Sequence, residues 1–524
     1  MVRILFVALL FSLTGAQEVL ASETKPGSHI ITPIIITDTG GRIMNAERGF
    51  FFAPENRAAP KSRTIAIHFV RFPADNAVAS RPPVFMLPGG PGVEKDFSNP
   101  SNFSWVKRLR RTRDVIYVSQ RGNYLASKIV ADMRVNMGTV ALDQQYSPAL
   151  ASLQIRAAVE EAFDTWSSKG IDLAGYDILN IVDDVHDLRR SLGYDKIVLN
   201  GCSFGSQWSF SYIKRWPDTV DRALLGGIEP LDYAYDSPKW LWASMTRLAA
   251  AAEASPTLKQ DIPEGGLMNA LKEVLKRLGE KAHVVTITDP KTGKDVDVTV
   301  GADDLRKYIA RAWSFMKPEA RANLAQWPRH IIELYNGDYR YLAAFSWYKR
   351  SHTDTDTLIE FLIDNSLGIT AARDEKLTNE VEAQWLGNIN ADYHATRGIT
   401  PTPLVSDSFR ADWEIDVPVL LVTSDLDWST PVENARHARK FLKQGHLLEV
   451  AGGTHCTEYG QVPAHLPEVT EQIFSFIDAD FESIKPQTFF ETLPTHVSLP
   501  PIDFAPENTN ETLYDEWLLM MKNR

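Results

Sequence analysis

The chain has 524 residues, 44% of them hydrophobic and 23% charged, the make-up of a globular protein with surface enough for one large domain with an insertion or for two to three domains. Its net charge of −12 excludes the basic patches that nucleic acid or an anionic membrane surface would need, and favours neutral or cationic ligands. Two cysteines, Cys202 and Cys456, cannot form a disulfide framework for a chain this long.

Met1-Val2-Arg3, the apolar run 4–13 and Val19-Leu20-Ala21 have the three-part form of a secretory signal, with cleavage expected after Ala21 and export to the periplasm or beyond. The apolar run is shorter than the about 20 residues that cross a bilayer, and no cysteine follows the cleavage point to carry a lipid anchor. Stretches 30–37 and 63–72, rich in Ile, Val, Thr and Phe, read as strands. Two short apolar strands follow, 83–87 ending in Pro88-Gly89-Gly90-Pro91-Gly92 and 114–118 ending in Ser119-Gln120-Arg121-Gly122. Ile178, Ile181, Val182, Val185, Leu188 and Leu192 recur at the spacing of one helix face, which Gly193 closes. Strand 196–199 runs into Gly201-Cys202-Ser203-Phe204-Gly205-Ser206 and then a helix to about Arg215, stopped by Pro217, before the strand 222–228. Strands alternating with helices predict a mostly parallel sheet covered on both faces.

The alternation breaks over 233–410, read as a mainly helical cap inserted over the loop end of the sheet, with one hairpin where 284–288 and 296–300 flank Asp289-Pro290-Lys291-Thr292-Gly293. Its tryptophans, Trp240, Trp242, Trp313, Trp327, Trp347 and Trp385, read as packing residues. The sheet resumes at 417–423, followed by Asp425-Leu426-Asp427-Trp428-Ser429-Thr430-Pro431, a helix, the strand 447–450, Ala451-Gly452-Gly453-Thr454-His455 and a helix over 469–477. The expected division is signal 1–21, core 22–232, cap 233–410, core 411–480 and a C-terminal extension 481–524 with a docked last helix near 514–521.

A serine hydroxyl becomes a nucleophile when a histidine takes its proton, and that histidine needs a carboxylate to fix its tautomer. Ser203, Asp427 and His455 each follow a predicted strand and stand in a chain order this chemistry uses. Asp425 is the rival carboxylate two residues away, and His437 and His446 are the rival bases, one in a helix and one at a strand start. The oxyanion of an acyl intermediate calls for backbone N–H donors, expected from Phe204 and from Gly89 or Gly90. Cys202 and Cys456 flank the candidate nucleophile and base; the plainer reading is two small buried residues, and a bridge would need Cα atoms within about 7 Å. There is no His-Glu-x-x-His pattern, no paired cysteine ligands and no Gly-x-x-x-x-Gly-Lys loop, so no metal or nucleotide cofactor is expected.

Pro88-Gly89-Gly90-Pro91-Gly92, Ser119-Gln120-Arg121-Gly122, the Ser203 turn, the Asp427-Trp428-Ser429-Thr430-Pro431 loop and His455 together resemble the proline iminopeptidase and tripeptidyl aminopeptidase branch of the α/β-hydrolases, over about 22–232 and 411–480. The resemblance implies an α/β-hydrolase core with a helical cap. It also implies an aminopeptidase that cleaves short peptides through an acyl-enzyme without a cofactor, with Glu229 near the position of a carboxylate that holds the substrate's amine and Asp232 beside it. The family usually has histidine where Pro88 stands, aspartate where Ser119 stands and a glycine near Tyr124, so the oxyanion loop is reshaped, and Ser119 and Arg121 read as structural support. The other readings are a carboxylic ester hydrolase using the same triad and a degenerate member that only binds ligand. A short peptide or small acyl compound is the expected partner, with no nucleic acid and no membrane anchor; the oligomeric state stays open.

Overall fold

Short runs of β-branched and aromatic residues build the centre of the molecule. The computed structural model describes residues 25–122, 133–136, 139–311, 320–351, 355–504 and 511–523, so the signal expected over 1–21, Tyr124 and Trp313 lie outside the described residues. Ten strands form one sheet: β1 (His29–Thr37), β2 (Ile43–Pro54), β3 (Thr64–Phe72), β4 (Val84–Leu87), β5 (Val115–Val118), β6 (Ile197–Cys202), β7 (Val220–Gly226), β8 (Val419–Ser424), β9 (Gly445–Ala451) and β10 (His496–Ser498). Their spatial order is β1-β2-β3-β5-β4-β6-β7-β8-β9-β10. β1, β2, β3 and β5 pair antiparallel, and every pairing from β5 across to β10 is parallel.

The central strands are buried on both faces, so they read as unbroken apolar runs: Val-Phe-Met-Leu in β4 and Val-Ile-Tyr-Val in β5. Alternate residues divide between two cores. Phe85, Leu87, Ile197, Leu199, Ala223, Leu225, Val419 and Leu421 face one side, where helices α2 (Pro148–Ser168), α3 (Ile178–Ser191) and α4 (Phe204–Arg215) pack. Val84, Met86, Val198, Leu224, Leu420 and Val422 face the other, against α1 (Pro100–Leu109) and α6 (Pro467–Asp478). β2 is the strand the sequence reading passed over. Its polar residues and Gly49 interrupt the alternation, and Gly49 is there because its antiparallel partner Phe69 lays its ring over the backbone where a Cβ would stand.

The helical region after β7 has an apolar core of its own, containing Leu248, Val274, Ile309, Leu324, Trp327, Phe345 and Trp347. Its first helix, α5 (Pro238–Glu253), lies on the loop after β8: Ser244 Oγ donates to the Asp427 carbonyl at 3.1 Å and Arg247 Nε to the Asp425 carbonyl at 2.7 Å. The hairpin forms from His283–Thr288 and Asp295–Val300. Two stretches pack across the expected divisions. Helix Leu358–Leu367, within the expected cap, buries Leu358, Ile359, Leu362 and Ile363 in the sheet-side core. The expected extension 481–524 is divided, since β10 joins the sheet beside β9 while α7 (Leu513–Lys522) packs Trp517 edge-on against Trp347. Among the described residues no helix is long and apolar enough to cross a membrane.

Candidate active site

Loops leaving the C-terminal ends of β4, β6, β7, β8 and β9 share one rim of the parallel sheet, where open α/β sheets bind ligands. Ser203 sits between β6 and α4 with φ 62° and ψ −137°, a conformation that costs a non-glycine residue about 1–3 kcal/mol and persists only where its surroundings fix it. They do so through backbone. Ser203 N donates to the carbonyls of Gly226 and Gly227 at 3.2 and 3.0 Å, and Ser206 N to the Ser203 carbonyl at 2.7 Å. The glycines two residues either side make this turn possible: a Cβ on Gly201 would strike the Gly205 carbonyl, and one on Gly205 would strike the Leu87 carbonyl. A serine at a helix N-cap ordinarily accepts a hydrogen bond from that helix; Ser203 does not, so its hydroxyl is not tied up in capping.

His455 follows β9 and Asp427 follows β8. His455 Nδ1 lies 2.9 Å from Asp427 Oδ2. Asp427 is buried and fully engaged: Ser429 N and Thr430 N donate to Oδ1 at 2.9 and 2.8 Å, and Thr430 Oγ1 donates to Oδ2 at 2.7 Å. Asp425 has another task, accepting from Gly452 N at 2.7 Å and so holding the start of the histidine loop. The other two histidines lie elsewhere, His446 bonded to the Pro494 carbonyl and stacked on Phe490, His437 paired with Asp412. Gly227 ties the parts together, since a Cβ built there would come within 2.9 Å of His455 Cε1 and 3.0 Å of Ser203 N.

The first glycine of the Pro88–Gly92 loop stands against the serine: a Cβ on Gly89 would be 3.1 Å from Ser203 Cβ. Gly90 has φ 106°, open to glycine. Among the described residues no protein acceptor takes the N–H of Gly89, Gly90 or Phe204, the last because the first helical N–H has no partner within its helix. Gln120 holds this loop, accepting from Gly92 N at 2.7 Å and donating to the Gly89 carbonyl at 3.1 Å. Ser119 Oγ donates to Glu94 at 3.1 Å, and Arg121 is fully buried on Asp184, donating Nη2 to Oδ1 at 2.6 Å and Nε to Oδ2 at 2.8 Å.

Glu229 stands at this rim, its backbone N donating to Ser206 Oγ at 2.9 Å. Burial pushes its carboxyl up to about 8; His455 and the Ser203 hydroxyl oppose the shift, and Asp236 and Asp427 add to it. Asp232 is committed elsewhere, accepting from the N and Oγ1 of Thr370 at 2.7 Å each. Burial would lower the His455 imidazole, but Asp427, Glu229 and Glu458 around it prevail and raise it to about 9. Glu458, which the sequence reading did not consider, is buried against Gly226; burial raises it to about 7, and among the described residues neither of its oxygens has a hydrogen-bond partner.

The two cysteines are joined. Cys202 and Cys456 form a disulfide with their Cα atoms 5.9 Å apart and a sequence separation of 254. The plainer reading of two separate buried residues therefore does not hold.

No curated protein sequence matches the chain. Among solved structures it is similar to a proline iminopeptidase from Mycobacterium smegmatis, at 13% identity over 79% of this chain and 94% of that one with a TM-score of 0.39. It is similar also to an α/β-hydrolase enzyme, MGS-M2, from a Medee basin deep-sea metagenome library, at 12% identity over 79% and 95% with a TM-score of 0.35. Epoxide hydrolases from metagenomes of hot environments share 15% identity over 86% and 98% with a TM-score of 0.33. Identities this low are silent on which bond is cut. A family model described as the alpha/beta hydrolase fold matches residues 82–264, and one described as a TAP-like protein matches 394–469. The first match holds β4 to β7 and the second β8 and β9, two parts of one sheet with most of the helical region between them, and the chain has the α/β-hydrolase fold.

Proposed function

We propose that the protein is an exported serine hydrolase that acts as an aminopeptidase on short peptides through an acyl-enzyme. The observation that carries the hydrolase part is the buried Asp427 carboxylate 2.9 Å from His455 Nδ1, beside a serine held on a strained turn. Asp427 accepts a hydrogen bond from Nδ1–H, which fixes the tautomer and leaves Nε2 as the base for the Ser203 hydroxyl. Attack on the scissile carbonyl yields an oxyanion at the N–H groups of Phe204 and of Gly89 or Gly90, and protonated His455 then gives its proton to the departing amine. Water drawn on by the same imidazole releases the acyl group.

Glu229 supports the choice of an aminopeptidase. A half-buried carboxyl beside the nucleophile, neutral below about pH 8 in the empty site and ionised when a cation arrives next to it, is a suitable partner for a substrate's terminal ammonium. The TAP-like match, which spans Asp427, His455 and Cys456, agrees with this reading. Export is supported by the signal-like N-terminus and by the disulfide, a bond that persists in oxidising compartments.

The test compares N-terminally free peptides, N-terminally blocked peptides and short-chain nitrophenyl esters on wild type and Ser203→Ala, with fluorophosphonate labelling of both. Cleavage of the free peptides alone, lost in the variant along with labelling, is the expected result. Esters hydrolysed while every peptide is spared would assign a carboxylic ester hydrolase instead. An unlabelled, inactive wild type would leave a protein that only binds ligand.

A further inference from the structure

Two non-glycine residues among those described have positive φ, Ser203 at 62° and Cys456 at 53°. One is the residue after Cys202; the other is a half of the disulfide itself. The bond therefore joins two turns that are each in a conformation side chains rarely adopt, one carrying the hydroxyl and one carrying the imidazole.

The surroundings tighten this relation. A ring nitrogen of His455 and the sulfurs of Cys202 and Cys456 all lie within 4.8 Å of one another, so the disulfide packs directly against the imidazole. At Gly227 a Cβ would meet Cys202 Sγ at 2.8 Å, His455 Cε1 at 2.9 Å and Ser203 N at 3.0 Å, which places bond, base and serine backbone around one point. The histidine loop is otherwise fixed from its own side: Gly452 N to Asp425, Leu426 N to the Gly453 carbonyl at 3.2 Å, and Thr454 N to Gln461 Oε1 at 2.9 Å. Thr457 Oγ1 donates to that same Gln461 oxygen at 3.1 Å. None of these bonds reaches the serine turn. The disulfide does.

We propose that the Cys202–Cys456 disulfide is a positioning device for the reaction, holding the Ser203 turn and the His455 turn in mutual register, so that opening the bond removes turnover while the fold persists. This rests on Ser203 and His455 being nucleophile and base. A dithiol reductant supplies two electrons and two protons: the S–S bond breaks, both cysteines become thiols, and the reductant closes into its own cyclic disulfide. Hydrolysis would then be confined to oxidising surroundings by the geometry of the site itself.

The experiment uses the full chain. It is reduced with dithiothreitol under native conditions, the thiols are counted, the fold is followed by near- and far-UV circular dichroism, and kcat, KM and the rate of fluorophosphonate labelling at Ser203 are measured before and after reoxidation. The Cys202→Ser/Cys456→Ser double variant supplies the open state where reductant does not reach the bond. The expected result is two thiols, an unchanged fold, kcat and labelling rate down about a hundredfold with KM little moved, and recovery on reoxidation, since a misplacement near 1 Å costs about that much. A folded reduced protein or double variant with kcat within about twofold of wild type overturns the proposal, and so does loss of activity only together with loss of the dichroism signal. The triad reading fails separately, if the oxidised wild type itself neither turns over nor labels.

Discussion

Asp427 Oδ2 and His455 Nδ1 are 2.9 Å apart, and the carboxylate in that pair is buried while the imidazole is faced by two further acids, Glu229 and Glu458.

The pair ties stability and activity to pH in opposite senses. His455 is raised from 6.5 to about 9, so the stability it contributes is complete below pH 6.5 and lost as pH rises through about 9. The neutral imidazole, the form the proposed mechanism uses as base, gains population over the same interval. The expected kcat/KM profile rises toward pH 9, while denaturant titrations across that window show falling stability. Asp427→Asn removes the strongest charge acting to raise the imidazole: the rising limb moves to lower pH, the stability slope flattens, and kcat drops about 10⁴-fold through loss of the correct tautomer. Profiles of both proteins check this.

Glu229→Gln keeps the shape of the side chain and removes the carboxyl that a substrate ammonium would ionise. Loss of one charge-assisted hydrogen bond, about 1.5–3 kcal/mol, raises KM for N-terminally free peptides tenfold or more. Blocked substrates and esters, which have no ammonium to place, keep their KM. A substrate ammonium near Glu229 also works against the raised imidazole, so the limb of kcat for free peptides lies at lower pH than the limb of kcat/KM. Paired profiles on one free and one blocked substrate read both effects.

Gln120, itself buried, accepts from Gly92 N and donates to the Gly89 carbonyl. Gln120→Leu releases that loop. The expected outcome is a fall in kcat of about 10²-fold, comparable with loss of an oxyanion donor, while KM and thermal stability change little. A large drop in melting temperature with kcat intact would show that Gln120 supports the fold and nothing more.

Gly205→Ala is expected to damage both fold and site, because the added methyl would meet the Leu87 carbonyl where α4 crosses β4. Overpacking at such a contact costs about 1–3 kcal/mol. The helix can relieve it only by moving away from β4, which shifts Phe204 N from the place where the oxyanion forms. Thermal melts and labelling rates measured together check that the two losses go together.

Much of this architecture was legible in the chain because local signals and tertiary demands coincide. β4, β5 and β6 are buried on both faces and therefore read as apolar runs; the Ser203 turn announces itself by the two glycines without which Leu87, Gly201 and Gly205 could not approach. β2 was passed over because its pattern is set by partners, above all by Phe69 lying over Gly49. The choice between Asp425 and Asp427 depends on which carboxylate reaches across to β9's histidine loop and which to its glycine, a distinction of a few ångströms with no trace in spacing. Thr430 and Gln120 lie within the recognisable motifs, but sequence does not say where a hydroxyl three residues from Asp427 or an amide about 30 residues from the Gly89 loop points. Glu458 carried no signal at all: an acid after a histidine is ordinarily solvated, and only the packing against Gly226 makes this one a buried acid. The bridge between Cys202 and Cys456 lay beyond local reasoning because its partners are 254 residues apart.

That same bond changes what happens to the chain when it is cut. It closes a covalent ring that contains the whole helical region, so a protease that nicks any single loop between residues 202 and 456 leaves one molecule, not two. The nicked protein would run at full length on a non-reducing gel and fall into two fragments only when thiol is added. The strands that carry the site would thus stay tethered even after the outermost loops between them had been severed.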